Sequence, residues 1–241
     1  MYHLFSKYAD RYDLHTPPHH YQHDHAFVLR RLGNHKRIID IGCGTGVFLK
    51  KALDSGFDAF GIDDSLNMVS IARKRVGYNR VIALCMQELN ETQSFEGLIS
   101  LSWTFNYTKS FAEAHRILIK FYNALVSDGM MILQIAHAPN ATGVLGEDRE
   151  LGPDGKEDDV VFLYRFSQIS EKSNVLKAQY VYGCKSKAEL FFEEHLLFAA
   201  NVEKIAKLAS KVGFTEIELL DSCFNEPFKT SVNVFLIARR P

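Results

Sequence analysis

The feature that most constrains this chain is the stretch Arg37-Ile38-Ile39-Asp40-Ile41-Gly42-Cys43-Gly44-Thr45-Gly46-Val47-Phe48. An apolar run ends in an acid, three alternating glycines follow, and a helix-like run from Val47 to Leu53 begins at once. The pattern reads as a buried strand, a tight turn and a helix N-terminus. Glycine alone reaches positive-φ conformations cheaply and leaves no Cβ in the way of a ligand approaching the backbone. The free amides and positive dipole end of the helix then face that ligand. This is a nucleotide-type site. A second apolar strand, Ala59 to Ile62, ends in Asp63, 21 residues beyond Gly42. A carboxylate at that distance is placed to accept both hydroxyl protons of an adenosine ribose.

The choice of nucleotide follows from detail. A dinucleotide fingerprint needs a small residue at position 47, where this chain has Val47, and its third glycine would fall one residue after Gly46. A nicotinamide oxidoreductase is therefore disfavoured. With 241 residues the chain suits a single α/β domain carrying an insertion. The formal charge is −1 and no basic run stands out, which argues against nucleic acid as partner. Four cysteines without a C-x-x-C pair suit reduced thiols, and no apolar run reaches membrane-spanning length. The expectation is a cytoplasmic enzyme acting on a small molecule, without membrane or nucleic-acid partner, a homodimer remaining open.

In chain order, residues 1–32 hold scattered aromatics, Pro17-Pro18, and a helical segment from Tyr21 to Leu32. The prolines break any helix between the two halves. His15, His19, His20, His23 and His25 cluster here; His19 and His23 share a face if helix starts early, but no metal-ligand spacing completes the set, so the reading is an aromatic lid rather than a metal site. After the second strand, Ser65 is a candidate N-cap for a helix from Met68 to Val76. A third strand, Arg80 to Leu84, leads to Cys85-Met86-Gln87, and a fourth, Gly97 to Leu101, to Ser102-Trp103-Thr104-Phe105-Asn106-Tyr107. The helix Phe111 to Leu125 is expected to end at Ser127-Asp128-Gly129, before a fifth strand from Met130 to Ala136. His137 follows at a strand end, where a near-neutral imidazole could act as a base. Residues 138–159, rich in Pro, Gly and Asp, read as a mobile loop. Three β-like runs follow, Val160 to Ile169, Val175 to Tyr182 and Glu189 to Phe198, in the last of which Glu193 and His195 share a face. A helix from Asn201 to Val212 and the strands Glu216 to Leu220 and Ser231 to Ala238 close the chain.

The string D-I-G-C-G-T-G, with Asp63 beyond it, resembles motif I of class I S-adenosylmethionine-dependent methyltransferases. In layout the chain is similar to small-molecule N-methyltransferases of the amino-sugar and glycine type: it shares Tyr12-Asp13 with a later Tyr21, Met86, the Asn106-Tyr107 loop, and a β insertion with Glu193 and His195. Nucleobase amine methyltransferases carry an N/D-P-P-Y/F segment where this chain has Phe105-Asn106-Tyr107. The resemblance implies an α/β fold, a three-layer doubly wound seven-stranded Rossmann-like sheet, with an antiparallel β insertion (138–200) and an N-terminal segment (1–32) as lids on one domain (1–241). It implies S-adenosylmethionine as cofactor: Gly42, Gly44 and Gly46 for the methionine end, Asp63 for the ribose and Met86 for adenine, with Tyr12 or Tyr21 closing over it. Asp40, Cys43, Asp64, Met68, Cys85, Gln87 and Ser102 complete the expected cofactor contacts. Cys85 stands where the family commonly has an Asp for the adenine amino group. Candidate catalytic residues are His137, Tyr107 and His195. The implied reaction is methyl transfer to a nitrogen of a small molecule, the alternatives being O-methylation with a histidine base or a non-catalytic cofactor-binding module.

Overall fold

The computed structural model describes residues 2–140, 144–150, 160–169, 174–185 and 188–241. The first five strands are β1 (Arg37–Ile41), β2 (Asp58–Asp63), β3 (Val81–Ala83), β4 (Phe95–Ser100) and β5 (Leu125–Ala136). A second set follows: β6 (Val144–Glu150), β7 (Val160–Gln168), β8 (Val175–Cys184) and β9 (Glu189–Phe198). The chain closes with β10 (Thr215–Leu220) and β11 (Asn233–Arg239). The main sheet has the order β10-β11-β5-β4-β1-β2-β3, and β6 to β9 form a separate sheet in sequence order. β1 to β5 pair in parallel, whereas β11 runs antiparallel to both β5 and β10.

Among the described residues six α-helices accompany them: α1 (Tyr12–His15), α2 (Gln22–Leu32), α3 (Val47–Asp54), α4 (Leu66–Val76), α5 (Phe111–Ala124) and α6 (Val202–Val212). Strands buried on both faces must be apolar on both, and Ile38-Ile39 shows the consequence. Ile39 packs with Leu118 and Phe121 of α5 and Ile205 of α6. Ile38 packs with Phe27 of α2, Leu49 of α3 and Ala72 of α4. Each such side chain buried contributes about 1.5–3 kcal/mol, and the two clusters make the three-layer arrangement. β1 and β4 are neighbours whose connections leave in opposite directions along the sheet. Their carboxyl ends therefore open the crevice where ligands of open α/β sheets bind.

Most expected elements lie within a few residues of their places. Ser65 caps α4 by accepting the Met68 amide, and Asn201 caps α6 by accepting that of Glu203. Three expectations need correction. β5 starts at Leu125 rather than Met130, because a register shift against β4 between Phe95 and Gly97 accommodates the extra residues Val126–Gly129 within the strand. The segment expected to be loop holds β6, whose backbone pairs with β7 from Val144↔Phe166 to Glu150↔Val160. Its largely polar composition hid a strand that tertiary pairing supplies. The insertion sheet thus has four strands rather than three; residues 141–143 and 151–159 of the expected loop lie outside the described residues.

Candidate active site

A cavity of about 900 Å³ lies over the carboxyl ends of β1, β2 and β4, beneath the second sheet and the N-terminal segment. Its floor is the glycine turn. The Gly42 and Cys43 amides donate to the Ile62 carbonyl at 2.8 and 3.0 Å, which ties the turn to the end of β2. Gly42 has φ +73°, and a Cβ there would collide with the Thr104 side chain. Gly44, at φ +53°, has open space where its Cβ would stand. Asp63 faces the same turn: its Oδ2 accepts the Gly44 amide and its Oδ1 the Ser65 amide, both at 2.9 Å. Each carboxylate oxygen keeps a lone pair for a further donor.

A buried acid, Asp40, and a half-buried one, Asp63, make the electrostatics unusual. Burial, with the charge of Asp63 behind it, raises Asp40 to about 8. Burial raises Asp63 to about 6 against the lowering effect of its two amide donors. A cationic ligand would favour the ionised form of both. Asp13, Asp64, Glu88 and Glu113 also line the cavity, against one lysine, Lys109, and no arginine among the described residues.

Of the expected cofactor contacts, Asp40, Gly42, Cys43, Gly44, Asp63, Asp64, Met68, Cys85, Met86, Gln87, Ser102, Tyr12 and Tyr21 all line this one cavity. Gly46 does not. It begins α3 in the left-handed region, and a Cβ on it would press within 3.1 Å of Ala72, so its smallness serves the packing of α3 on α4.

The three catalytic candidates separate. Tyr107 lines the cavity and its hydroxyl lies 2.6 Å from His195 Nδ1. Burial holds the Tyr107 phenol well above its ordinary range and lowers His195. His195 Nε2 faces the Glu193 carboxylate at 3.5 Å, which favours the ring proton on Nε2 and leaves Nδ1 to accept from Tyr107. His195 is fully buried, covered by the Tyr2 ring stacked at 3.6 Å, and reaches the cavity only through Tyr107. His137 requires correction as a candidate base. Its Nδ1 accepts the Val202 amide at 3.1 Å, capping α6, its ring packs on Phe228, and it is not among the cavity-lining residues. The strand end that suggested chemistry faces the next helix instead. The five N-terminal histidines also part company: His15 and His25 are buried among aromatics, while His19, His20 and His23 are exposed.

Several site-building residues escaped sequence reasoning. Arg75 of α4 donates to the Thr45 carbonyl and hydroxyl and to Asp13 Oδ2, at 2.6–3.0 Å, and Thr45 donates to Asp13 Oδ1. The N-terminal lid is thus fastened to the glycine turn. Ser102 and Trp103 both have positive φ. The buried Gln134 holds them there, accepting the Ser102 amide at 2.8 Å while donating to Asp24 of α2. That bend sets Thr104 against Gly42. Partners 30 to 130 residues apart leave no periodic signal.

Residues 12–219 match a family described as "Methyltransferase domain". The chain is a methyltransferase. It is 24% identical to the methyltransferase-like protein GWCH70_2453 of Geobacillus sp. (strain WCH70), over 89% of this chain and 91% of that one. It is 24% identical to the glycine/sarcosine N-methyltransferase of Parasynechococcus marenigrum (strain WH8102), over 70% and 67%. Among solved structures, S-adenosylmethionine-bound CalS10, an amino pentose methyltransferase from Micromonospora echinaspora, shares the fold at a TM-score of 0.72 and 20% identity, over 90% of each chain. The methyltransferase uses S-adenosylmethionine, and its cradle suits that group: an open-sided Gly44, a carboxylate at Asp63 with spare lone pairs, and the buried acid Asp40 facing a cationic ligand.

Proposed function

We propose that this methyltransferase methylates an amine nitrogen of a small molecule. The observation carrying this reading is the character of the cavity wall, in which six acidic side chains, Asp40 among them with a raised pKa, stand against one lysine, and Tyr2, Phe5, Tyr12, Tyr21 and Tyr107 supply aromatic rings. Ring faces and carboxylates both attract cations. The relatives named for glycine, sarcosine and amino pentose support the same reading.

The cofactor supplies an electrophilic methyl group on a sulfonium. Gly42 and Gly44 would receive its methionine end, with Asp40 beneath, Asp63 the ribose hydroxyls, and Met86 with Cys85 and Gln87 the adenine. Tyr12 and Tyr21 close the side toward the N-terminal lid. Fixing both reactants removes orientational entropy worth about 7–11 kcal/mol in the best intramolecular cases. An amine must attack as the neutral base, so its proton needs a destination. Tyr107 Oη can accept that proton while passing its own to His195 Nδ1, which leaves an imidazolium 3.5 Å from Glu193. His137 has no part in this.

The test is S-adenosylhomocysteine formation with glycine, sarcosine and a panel of amino sugars, each beside its hydroxyl counterpart. Turnover of amines alone is expected. Turnover confined to hydroxyl compounds would replace the reading with O-methylation.

A further inference from the structure

Glu193 Oε2 already accepts two donors where a third, His195 Nε2, approaches it. Glu193 stands on β9 opposite Tyr180, and its carboxylate accepts the His3 amide at 2.5 Å, the Leu4 amide at 2.9 Å and the Tyr182 hydroxyl at 3.2 Å. His195 Nε2 lies 3.5 Å from the same Oε2 without a hydrogen bond, and is a buried nitrogen with no partner. Tyr107 occupies Nδ1, so the ring proton sits on Nε2 and points at an acceptor already taken. The amides that take it belong to a segment folded over the cavity. Tyr2 stacks on His195, Tyr2 and Phe5 line the cavity, and Tyr8 packs on Phe191. The other polar ties of that segment are to β9, where the Tyr2 hydroxyl accepts the Leu196 amide at 3.4 Å, and to the start of α4, from Ser65 to the Phe5 carbonyl and from Asn67 to that of Ser6.

We propose that Glu193 is a positioning residue that latches residues 2–9 over the Tyr107–His195 pair, and that the latch opens for ligand passage as the carboxylate exchanges the His3 and Leu4 amides for His195 Nε2. A buried N–H left unpaired is costly, so the closed arrangement carries its own reason to reopen. One carboxylate then sets both the roof and the hydrogen bonding of the histidine beneath it. The gating role rests on the methyl-transfer reading of the cavity; the latch itself does not.

The test uses the full chain and S-adenosylhomocysteine as probe. Lys7 supplies a trypsin site inside the latched segment. Glu193→Gln, which keeps size and one acceptor oxygen, should speed cleavage after Lys7 at least threefold, and Glu193→Ala about tenfold, with the melting transition of the Gln variant retained. In stopped flow, Glu193→Gln should raise the association and dissociation rates of S-adenosylhomocysteine together while Kd stays within threefold, the signature of a gate rather than of lost structure. Cleavage at the wild-type rate in Glu193→Gln, or faster cleavage with unchanged exchange rates, would overturn the proposal. If the probe fails to bind the wild-type protein, the methyl-transfer reading falls, and cleavage alone still decides the latch.

Discussion

At the scale of single residues, the raised acids under the glycine turn predict that binding of a cationic ligand is linked to proton release. Asp40, raised to about 8, is largely protonated at pH 7, while Asp63, at about 6, is largely ionised. A raised carboxyl binds its proton more tightly folded than unfolded. Between pH 4 and pH 8 the native state therefore holds more protons than the unfolded chain, and ligand-free stability falls as pH rises through that window. A bound cation reverses the preference and expels the proton. Calorimetry of S-adenosylhomocysteine binding at pH 7, in buffers of different ionisation enthalpy, should show release of up to about one proton per site. Asp40→Asn should abolish that release and flatten the fall in ligand-free stability toward pH 8. The turn and Asp63 were legible because glycine and an acid at a fixed interval are local statements in sequence. Gly46 was legible as a glycine, but not the packing that requires its smallness, since its neighbour Ala72 lies on another helix.

At the scale of elements, the active site depends on how lids and helices are fastened. His137 caps α6, so His137→Ala should cost about 1–3 kcal/mol of stability as the Val202 amide loses its acceptor. Methyl transfer by the folded variant should stay within about twofold of wild type; a loss of a hundredfold, the scale of a missing general base, would restore His137 to the chemistry. Arg75 binds α1 to the glycine turn through Asp13 and Thr45. Arg75→Ala should weaken S-adenosylhomocysteine about tenfold, equivalent to about 1.4 kcal/mol, and unchanged affinity would show that lid and turn act independently. Such ties could not be read beforehand. A strand-end histidine looks the same whether it faces a cavity or a helix N-terminus, and only packing decides. The same holds for β6, whose polar run acquires strand form from its neighbour β7.

At the scale of the whole molecule, the parallel core was readable because each buried strand is a short apolar run ended by a turn, and each covering helix carries an apolar stripe. Ile38 and Ile39 face opposite helix layers, which is the alternation of a strand expressed across a three-layer fold. The roof was less readable. Its contacts join residues 2–9 to β8 and β9, as much as 194 residues away in the chain, through tyrosine and phenylalanine rings whose spacing follows neither helix nor strand. The two lids meet over the glycine-turn floor; on the proposed reading the floor would recognise the cofactor and the roof the acceptor. The measurement that bears most directly on this is titration calorimetry of wild-type and Asp63→Ala protein with S-adenosylhomocysteine and with NADH. Binding of S-adenosylhomocysteine but not NADH to the wild type, with at least tenfold weaker affinity in Asp63→Ala, is the predicted result; equal affinity of the two proteins, or binding of NADH alone, would contradict it.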